Sequence, residues 1–248
     1  MLGQSSESLT PPKGDIYTGS GDFIKQGKHH LHLLKKFANL QRNDQVLDVG
    51  SGIGRTAVAL TKYINSSGSY EGFDVVKKGV DWCIKHITPE FPNFNFQYIP
   101  VHNDLYNQQS NKAKEYCFPY EDQKFDVVFL FSVFTHMLPE EIGHYLQEIS
   151  RVLKIGGKCF ATFFITPDDK VEYYQKTNKF SFPFTFSDHL LMDKKVKSAN
   201  VCLHYSLLEN LCKQAKLTID YQSNGYWKDH VKENNENDFQ DFVILSKS

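Results

Sequence analysis

The chain has 248 residues, 28 of them basic and 29 acidic, for a formal net charge of -1. This length suffices for one α/β domain with a real core, with or without an inserted lid. The even charge balance gives no pull toward nucleic acid or an acidic membrane surface, so neither is expected as a partner. Aromatic residues make up 14%, generous enough to line an apolar or sugar-binding pocket as well as fill a core. The five cysteines, Cys83, Cys117, Cys159, Cys202 and Cys212, are odd in number and form no C-x-x-C. That spacing argues against a disulfide framework or a zinc site and for a reducing cytoplasm. The first residues show no basic region followed by an apolar one, so no signal peptide is expected. No apolar run approaches the length of a membrane span.

Residues 1–22 carry Ser, Pro and Gly without periodicity and read as an N-terminal arm, ahead of a single domain over 23–248. From Ile24 to Ala38 the residues Ile24, Leu31, Leu34 and Ala38 fall on one helical face. His29, His30 and His32 lie on the same helix among Lys25, Lys28 and Lys35. No carboxylate or cysteine accompanies them, so they read as a solvated basic face, and no metal is expected.

Residues 46–55, Val-Leu-Asp-Val-Gly-Ser-Gly-Ile-Gly-Arg, are the most informative stretch. Val46, Leu47 and Val49 fit a short buried strand. Gly50, Gly52 and Gly54 allow a sharp turn that lies close to a ligand. Thr56 to Tyr63 continues as a helix. This order is the nucleotide-binding end of a doubly wound sheet. The spacing is G-x-G-x-G, whereas a dinucleotide fold has G-x-G-x-x-G. Asp48 would repel a pyrophosphate and suits a ligand with an ammonium or sulfonium group. S-adenosylmethionine has both and no phosphate. The stretch resembles motif I of the class I S-adenosylmethionine-dependent methyltransferases.

Further strands are expected over Tyr70–Val75, Phe94–Val101, Lys124–Phe131 and Lys158–Ile165, with helices over Val80–Ile87 and Pro139–Leu153. Gly156-Gly157 is expected to separate the second of these helices from the strand after it. Residues 166–200 lose regular alternation and read as a candidate substrate lid centred on Phe180, Phe182, Phe184 and Phe186, which alternate as a half-buried strand would. Ser206–Ala215 is helical, and Leu217–Tyr221 and Phe239–Ser246 read as an antiparallel edge pair. The fold class is α/β: a doubly wound, seven-stranded, mostly parallel sheet with an antiparallel last strand, as the resemblance also implies.

The resemblance assigns roles to particular residues. Asp48 and the loop Gly50, Ser51, Gly52 and Gly54 would hold the cofactor. Arg55 would neutralise its carboxylate, or stand as an exposed first-turn arginine. Asp74, at the end of the second strand, would accept hydrogen bonds from ribose hydroxyls. Val75 and Val76 would flank the adenine ring. Asp104, with Asn103 as the other candidate, would accept the adenine amino group, and Leu105 stands beside it. Phe131 and Ser132 begin the loop passing the methionine part. Thr18–Phe23 would fold over the cofactor from the N-terminal side.

His136 sits just past the fourth strand, where a base for a hydroxyl acceptor is needed, though a helix cap would serve the same position. His204 and Tyr205 are weaker candidates. Ser132 replaces the aspartate of metal-dependent catechol-type enzymes, and the loop lacks the prolines of nucleic-acid amino methyltransferases. No Pro-Cys occurs. The segment Ser132–Glu141 with Tyr145–Gly157 is similar to bacterial small-molecule methyltransferase domains. The leading reading is a cytoplasmic, metal-independent methyltransferase acting on a small-molecule acceptor, on oxygen, of the sugar or secondary-metabolite kind. The alternatives are a protein or lipid methyltransferase, and a cofactor-binding protein without turnover. A pyridine-nucleotide dehydrogenase is disfavoured by the glycine spacing and Asp48.

Overall fold

The computed structural model describes residues 9–19, 21–101 and 112–248. The chain divides into two compact units, Met1–Ile99 and Pro100–Ser248.

The first unit runs α1 (Phe23–Phe37), β1 (Gln45–Val49), α2 (Arg55–Leu60), β2 (Ser69–Asp74), α3 (Lys77–His86) and β3 (Phe94–Tyr98). Strand β2 lies between β1 and β3 and pairs with both in parallel. The β1 residues Val46, Leu47 and Val49 are wholly buried, as an apolar run between two helical layers should be. Asp22 caps α1 by accepting the Lys25 N–H at 2.8 Å. The face α1 buries is only in part the expected one: Leu34 and Ala38 are buried as expected, but Phe23, Gly27 and Leu33 join them while Ile24 and Leu31 are half-exposed. Gly27 explains the rotation. A Cβ there would stand 2.5 Å from the Arg55 carbonyl oxygen, so the bare glycine lets α1 press on the start of α2. His30 completes this contact, its Nδ1 2.8 Å from the Thr56 hydroxyl.

In the second unit β4 (Phe125–Leu130) is followed by α4 (Pro139–Val152) and β5 (Leu153–Thr166). Pro139 opens α4, and the Glu141 carboxylate accepts the Leu138 N–H at 2.8 Å, half of a capping box. Gly156-Gly157 does not separate α4 from β5. The strand begins at Leu153, opposite Phe125, and the next pairing is Val127 with Lys158. The residues between bulge out of the ladder, with Gly156 at φ 77. Strand β5 is the hub: it pairs in parallel with β4 and antiparallel with the last strand.

Residues 166–200 are ordered, against the irregular segment expected. They contain α5 (Val171–Lys176), β6 (Phe184–Thr185) and β7 (His189–Leu191), and lead into β8 (Val201–His204). Strand β8 pairs in parallel with the far end of β5, and β7 and β6 follow antiparallel. The chain then forms α6 (Tyr205–Gln214), β9 (Leu217–Ser223) and β10 (Asp241–Lys247), the expected antiparallel pair. The architecture is thus α/β with a mostly parallel sheet and antiparallel strands at its end; β1 to β5, β9 and β10 are the seven expected strands, and β6 to β8 extend them.

The four alternating phenylalanines do not share one strand face. Phe182 is fully buried with Phe164, Tyr174, Leu190, Cys202 and Trp227, Phe180 packs at the cluster's margin, and Phe184 and Phe186 are 37% and 41% exposed. Asn178 sews this cluster to the 227–229 segment, donating to the Phe180 and Trp227 carbonyls and accepting the Asp229 N–H. Beneath it lies a buried ion pair, Lys228 to Asp241 at 2.8 Å, both essentially without solvent contact. Asp241 also accepts the N–H groups of Ile165 and Gly225 and the Trp227 indole. Burial still holds its carboxyl above the usual range, so these partners offset the cost of the buried charge only in part.

Candidate functional site

The site is built first from the turn that leaves β1. The N–H groups of Gly50 and Ser51 both donate to the Phe73 carbonyl, at 2.9 and 3.0 Å, hooking the loop onto the end of β2. Gly54 takes φ 81, and a Cβ there would meet Cys83 Sγ at 2.8 Å, so both conformation and packing demand glycine. Gly52, at φ 56, differs: a Cβ would meet only the Thr18 hydroxyl, at 3.6 Å. Its need for glycine is conformational, and the space above it is open for a ligand.

Asp74 locks this turn. Its Oδ2 accepts the Gly52 N–H at 2.8 Å and its Oδ1 the Val76 N–H at 2.7 Å. Burial pushes its carboxyl above the usual range, while those backbone hydrogen bonds pull it back. The Val75 N–H also hydrogen-bonds this carboxylate, so of its roughly four acceptor sites about one is left for a further donor. Val75 and Val76 follow, half-buried.

Asp48 is 3% exposed and accepts the Tyr70 hydroxyl at 2.7 Å. Burial raises its carboxyl to about 8; the Tyr70 hydrogen bond opposes this and the charge of Asp74 adds to it. At neutral pH this group is mostly a neutral acid, and a cation placed beside it would favour the carboxylate. The Ser51 hydroxyl is buried and without a partner. Tyr70 itself stacks on Phe94 at 5.0 Å. Nothing in its mid-strand sequence position announced this role.

The N-terminal arm packs over the same turn. Asp15 pairs with Lys78 at 2.6 Å, and Arg55 donates to the Thr18 carbonyl while its guanidinium lies 5.6 Å from the Phe23 ring centre. Arg55 is therefore not the free first-turn arginine considered above. Burial lowers its pKa, its Nε is buried without a partner, and no carboxylate pairs with it among the described residues. Asn103, Asp104 and Leu105 lie outside the described residues.

The second unit carries the remaining candidates. Phe131 is half-buried against Phe160. Ser132 adopts φ 59, a conformation L-residues avoid, held by its N–H to the Thr162 hydroxyl and its hydroxyl to the Gln240 side chain. His136 ends the turn after β4. Its Nδ1 donates to the Ser198 carbonyl at 2.9 Å, which leaves Nε2 the accepting nitrogen of the neutral ring. Burial lowers its pKa, against the backbone hydrogen bonds at Ser198 and Ala199 that raise it. Among the described residues no helix is long and apolar enough to cross a membrane.

Comparison with known proteins agrees with this geometry. The methyltransferase-domain family matches residues 47–161. Mouse arsenite methyltransferase is 27% identical over 118 residues, 48% of this chain and 30% of that protein. The uncharacterized methyltransferase YcgJ of Bacillus subtilis is 26% identical over 155 residues, 62% of this chain and 54% of that protein. The chain thus spans about half, or less, of these relatives. Among solved structures, the PH0226 protein of Pyrococcus horikoshii aligns at TM-score 0.60 with 17% identity over 93% of each chain, a likeness of fold. The motif I loop bolted to Asp74 lies at the start of the matched stretch, and over residues 47–161 the chain is similar to the methyltransferase-domain family.

Proposed function

We propose that the chain transfers a methyl group from S-adenosylmethionine to a hydroxyl of a small-molecule acceptor, without a metal. The observation that carries this is the turn from Asp48 to Arg55. It offers a buried acid for a cation, an unpartnered hydroxyl at Ser51, open space over Gly52 and a guanidinium that no carboxylate pairs among the described residues. S-adenosylmethionine matches these with an ammonium, a sulfonium and a carboxylate and brings no phosphate.

Asp48 would take the cationic end and Arg55 the carboxylate. Gly50, Ser51, Gly52 and Gly54 would line it. Asp74 would use its remaining acceptor site for the ribose hydroxyls, Val75 would flank the adenine, and Asp104 and Leu105 would meet its edge. Phe131 and Ser132 would border the methionine part. When bound, the cofactor supplies a methyl carbon on sulfur. The acceptor oxygen forms the C–O bond, the C–S electron pair stays on sulfur, and one proton leaves the hydroxyl. A neutral histidine at the carboxyl end of the second unit's sheet suits that proton, and His136, at the end of the turn after β4, would take it. The hairpin of β6 and β7, with Phe184 and Phe186 exposed, is the part of 166–200 suited to cover an apolar or sugar-like acceptor.

Relatives are named for acceptors as unlike as arsenite and a tRNA cytidine, so the acceptor must be tested. Calorimetry should find binding of S-adenosylhomocysteine and none of NAD. Release of S-adenosylhomocysteine should then be followed with hydroxylated small molecules, arsenite and RNA. Turnover with RNA alone would overturn the small-molecule reading, and NAD binding alone would overturn the whole.

A further inference from the structure

The second unit holds a histidine that the turn after β4 does not account for. His204 ends β8, opposite Thr166 at the end of β5, so it stands at the carboxyl edge of the parallel ladder. Its ring is 13% exposed. Nδ1 faces the Asp168 carboxylate at 3.8 Å, and Nε2 is buried with no hydrogen-bond partner. Asp168 is itself held: it accepts the Ser206 hydroxyl at 2.6 Å and the Ser206 N–H at 3.2 Å, at the start of α6. A carboxylate fixed behind Nδ1 and a free Nε2 ahead is the arrangement that lets an imidazole accept a proton and keep it as a stabilised cation.

Two further polar atoms lie in the segments packed against β8. The 3₁₀ turn Phe134–His136 rests on β8. In it the Thr135 hydroxyl is fully buried and unpartnered, and so is the hydroxyl of Ser198, the residue whose carbonyl holds His136. Buried polar side chains without partners are rare in folded proteins. Here three, on Thr135, Ser198 and His204, come from neighbouring segments at the end of the sheet where such folds bind ligands. His136, by contrast, is committed through Nδ1 to the Ser198 carbonyl.

We propose that His204, positioned by Asp168, accepts the proton of a hydroxylated acceptor, with the Thr135 and Ser198 hydroxyls meeting other hydroxyls of that acceptor and His136 holding the 198–199 segment in place. This rests on the methyl-transfer reading and moves its proton from His136 to His204. As the acceptor oxygen takes the methyl group, its proton passes to Nε2, giving an imidazolium whose charge Asp168 faces. Glu209 lies one turn further along α6, and the N-terminal end of α6 opposes the positive charge, which makes Asp168 necessary.

The test uses the full chain and two independent readings. Ring-nitrogen NMR of the wild-type protein needs no acceptor: His204 should carry its proton on Nδ1, and Asp168→Asn should release it to a mixture of both tautomers. Rates of S-adenosylhomocysteine release with a panel of polyols, sugars and phenols give the second. His204→Asn and His204→Gln should lower kcat by about a hundredfold or more, the range of a lost general base, with S-adenosylhomocysteine affinity unchanged within about twofold. Asp168→Asn should lower kcat by about tenfold or more at unchanged affinity. His136→Asn should do less than His204→Asn. A proton on Nε2 in the wild type overturns the proposal whether or not an acceptor is found, and so does full activity in His204→Asn. Failure of the wild type to bind S-adenosylhomocysteine would instead overturn the methyltransferase reading.

Discussion

If Asp48 takes the cationic end of the cofactor, as proposed, binding is coupled to a proton. The Asp48 carboxyl, buried and served by one hydroxyl, lies at about 8. At pH 7 only about a tenth of the molecules then carry the charge that a cationic ligand needs, a population cost of about 1.4 kcal/mol. If the complex requires the carboxylate, the apparent Kd of S-adenosylhomocysteine falls about fiftyfold from pH 6 to 8 and only about twofold beyond. Calorimetry at pH 7 in two buffers of different ionisation enthalpy should show about 0.9 proton released per ligand, after the free ligand's own titration is subtracted.

Asp48→Asn should abolish the release and weaken binding. The same substitution should stabilise the ligand-free fold. The folded pKa lies above the unfolded value of 3.8, so the group's contribution to stability is fully present below that value and is lost as pH rises through about 8. The variant escapes that loss, and its Tm should exceed the wild type's most at pH 8–9. Flat affinity from pH 6 to 8 with no proton released would refute the reasoning.

The remaining predictions concern the turn and the insertion. Asp74→Ala frees the Gly52 and Val76 N–H groups, and S-adenosylhomocysteine affinity should fall by about 1.5–3 kcal/mol, the range for hydrogen bonds to charged groups; unchanged calorimetric affinity in a folded variant would remove Asp74 from the site. Lys228→Met leaves the Asp241 charge buried and should cost about 3–5 kcal/mol in urea unfolding, whereas a loss below about 1 kcal/mol would mean the network tolerates an unpaired carboxylate. Phe182→Ala should cost about 3–5 kcal/mol as a core truncation. Phe184→Ala and Phe186→Ala should change stability by less than about 0.5 kcal/mol and show themselves in acceptor KM; equal destabilisation by all three would place the rings in one core.

The strands with two buried faces were readable because they need nothing but apolar side chains. Val46–Val49 and Phe125–Leu130 bury both faces, and their runs lie within a residue of the observed bounds. The insertion was not readable in this way. Its core is assembled from distant pieces: Phe164 from β5, Tyr174 from α5, Phe182 from a loop, Leu190 and Cys202 from two strands, and Trp227 from the segment before β10. No local period records that set. The alternation of Phe180 to Phe186 suggested a strand face, but the pairing covers Phe184 and Thr185 alone, and Pro183 removes the donor that would have extended it toward Phe182. The bulge at Gly156-Gly157 was mistaken for a boundary for a related reason. Paired glycines mark a departure from regular backbone, and sequence does not say whether the ladder resumes on the same partner.

In the site, the residues that act alone were legible and those that act through a partner were not. Gly54 needs its conformation wherever it sits, so the motif exposes it. The state of Asp48 depends on Tyr70, and that pairing follows from register. Asp48 lies opposite Gly72, and Tyr70 precedes Gly72 by two residues on the same face of β2. A Cβ at Gly72 would stand 2.8 Å from the Tyr70 hydroxyl and 3.0 Å from Ser51 Cβ. The missing side chain is what allows the phenol to reach past its neighbour to the carboxyl. The same logic joins Asp168 to His204: 36 positions separate them in the chain, and the parallel pairing of Thr166 with His204 brings them together. A glycine in mid-strand and an aspartate just after a strand carry little information singly. Each gains its meaning from the residue the sheet sets beside it.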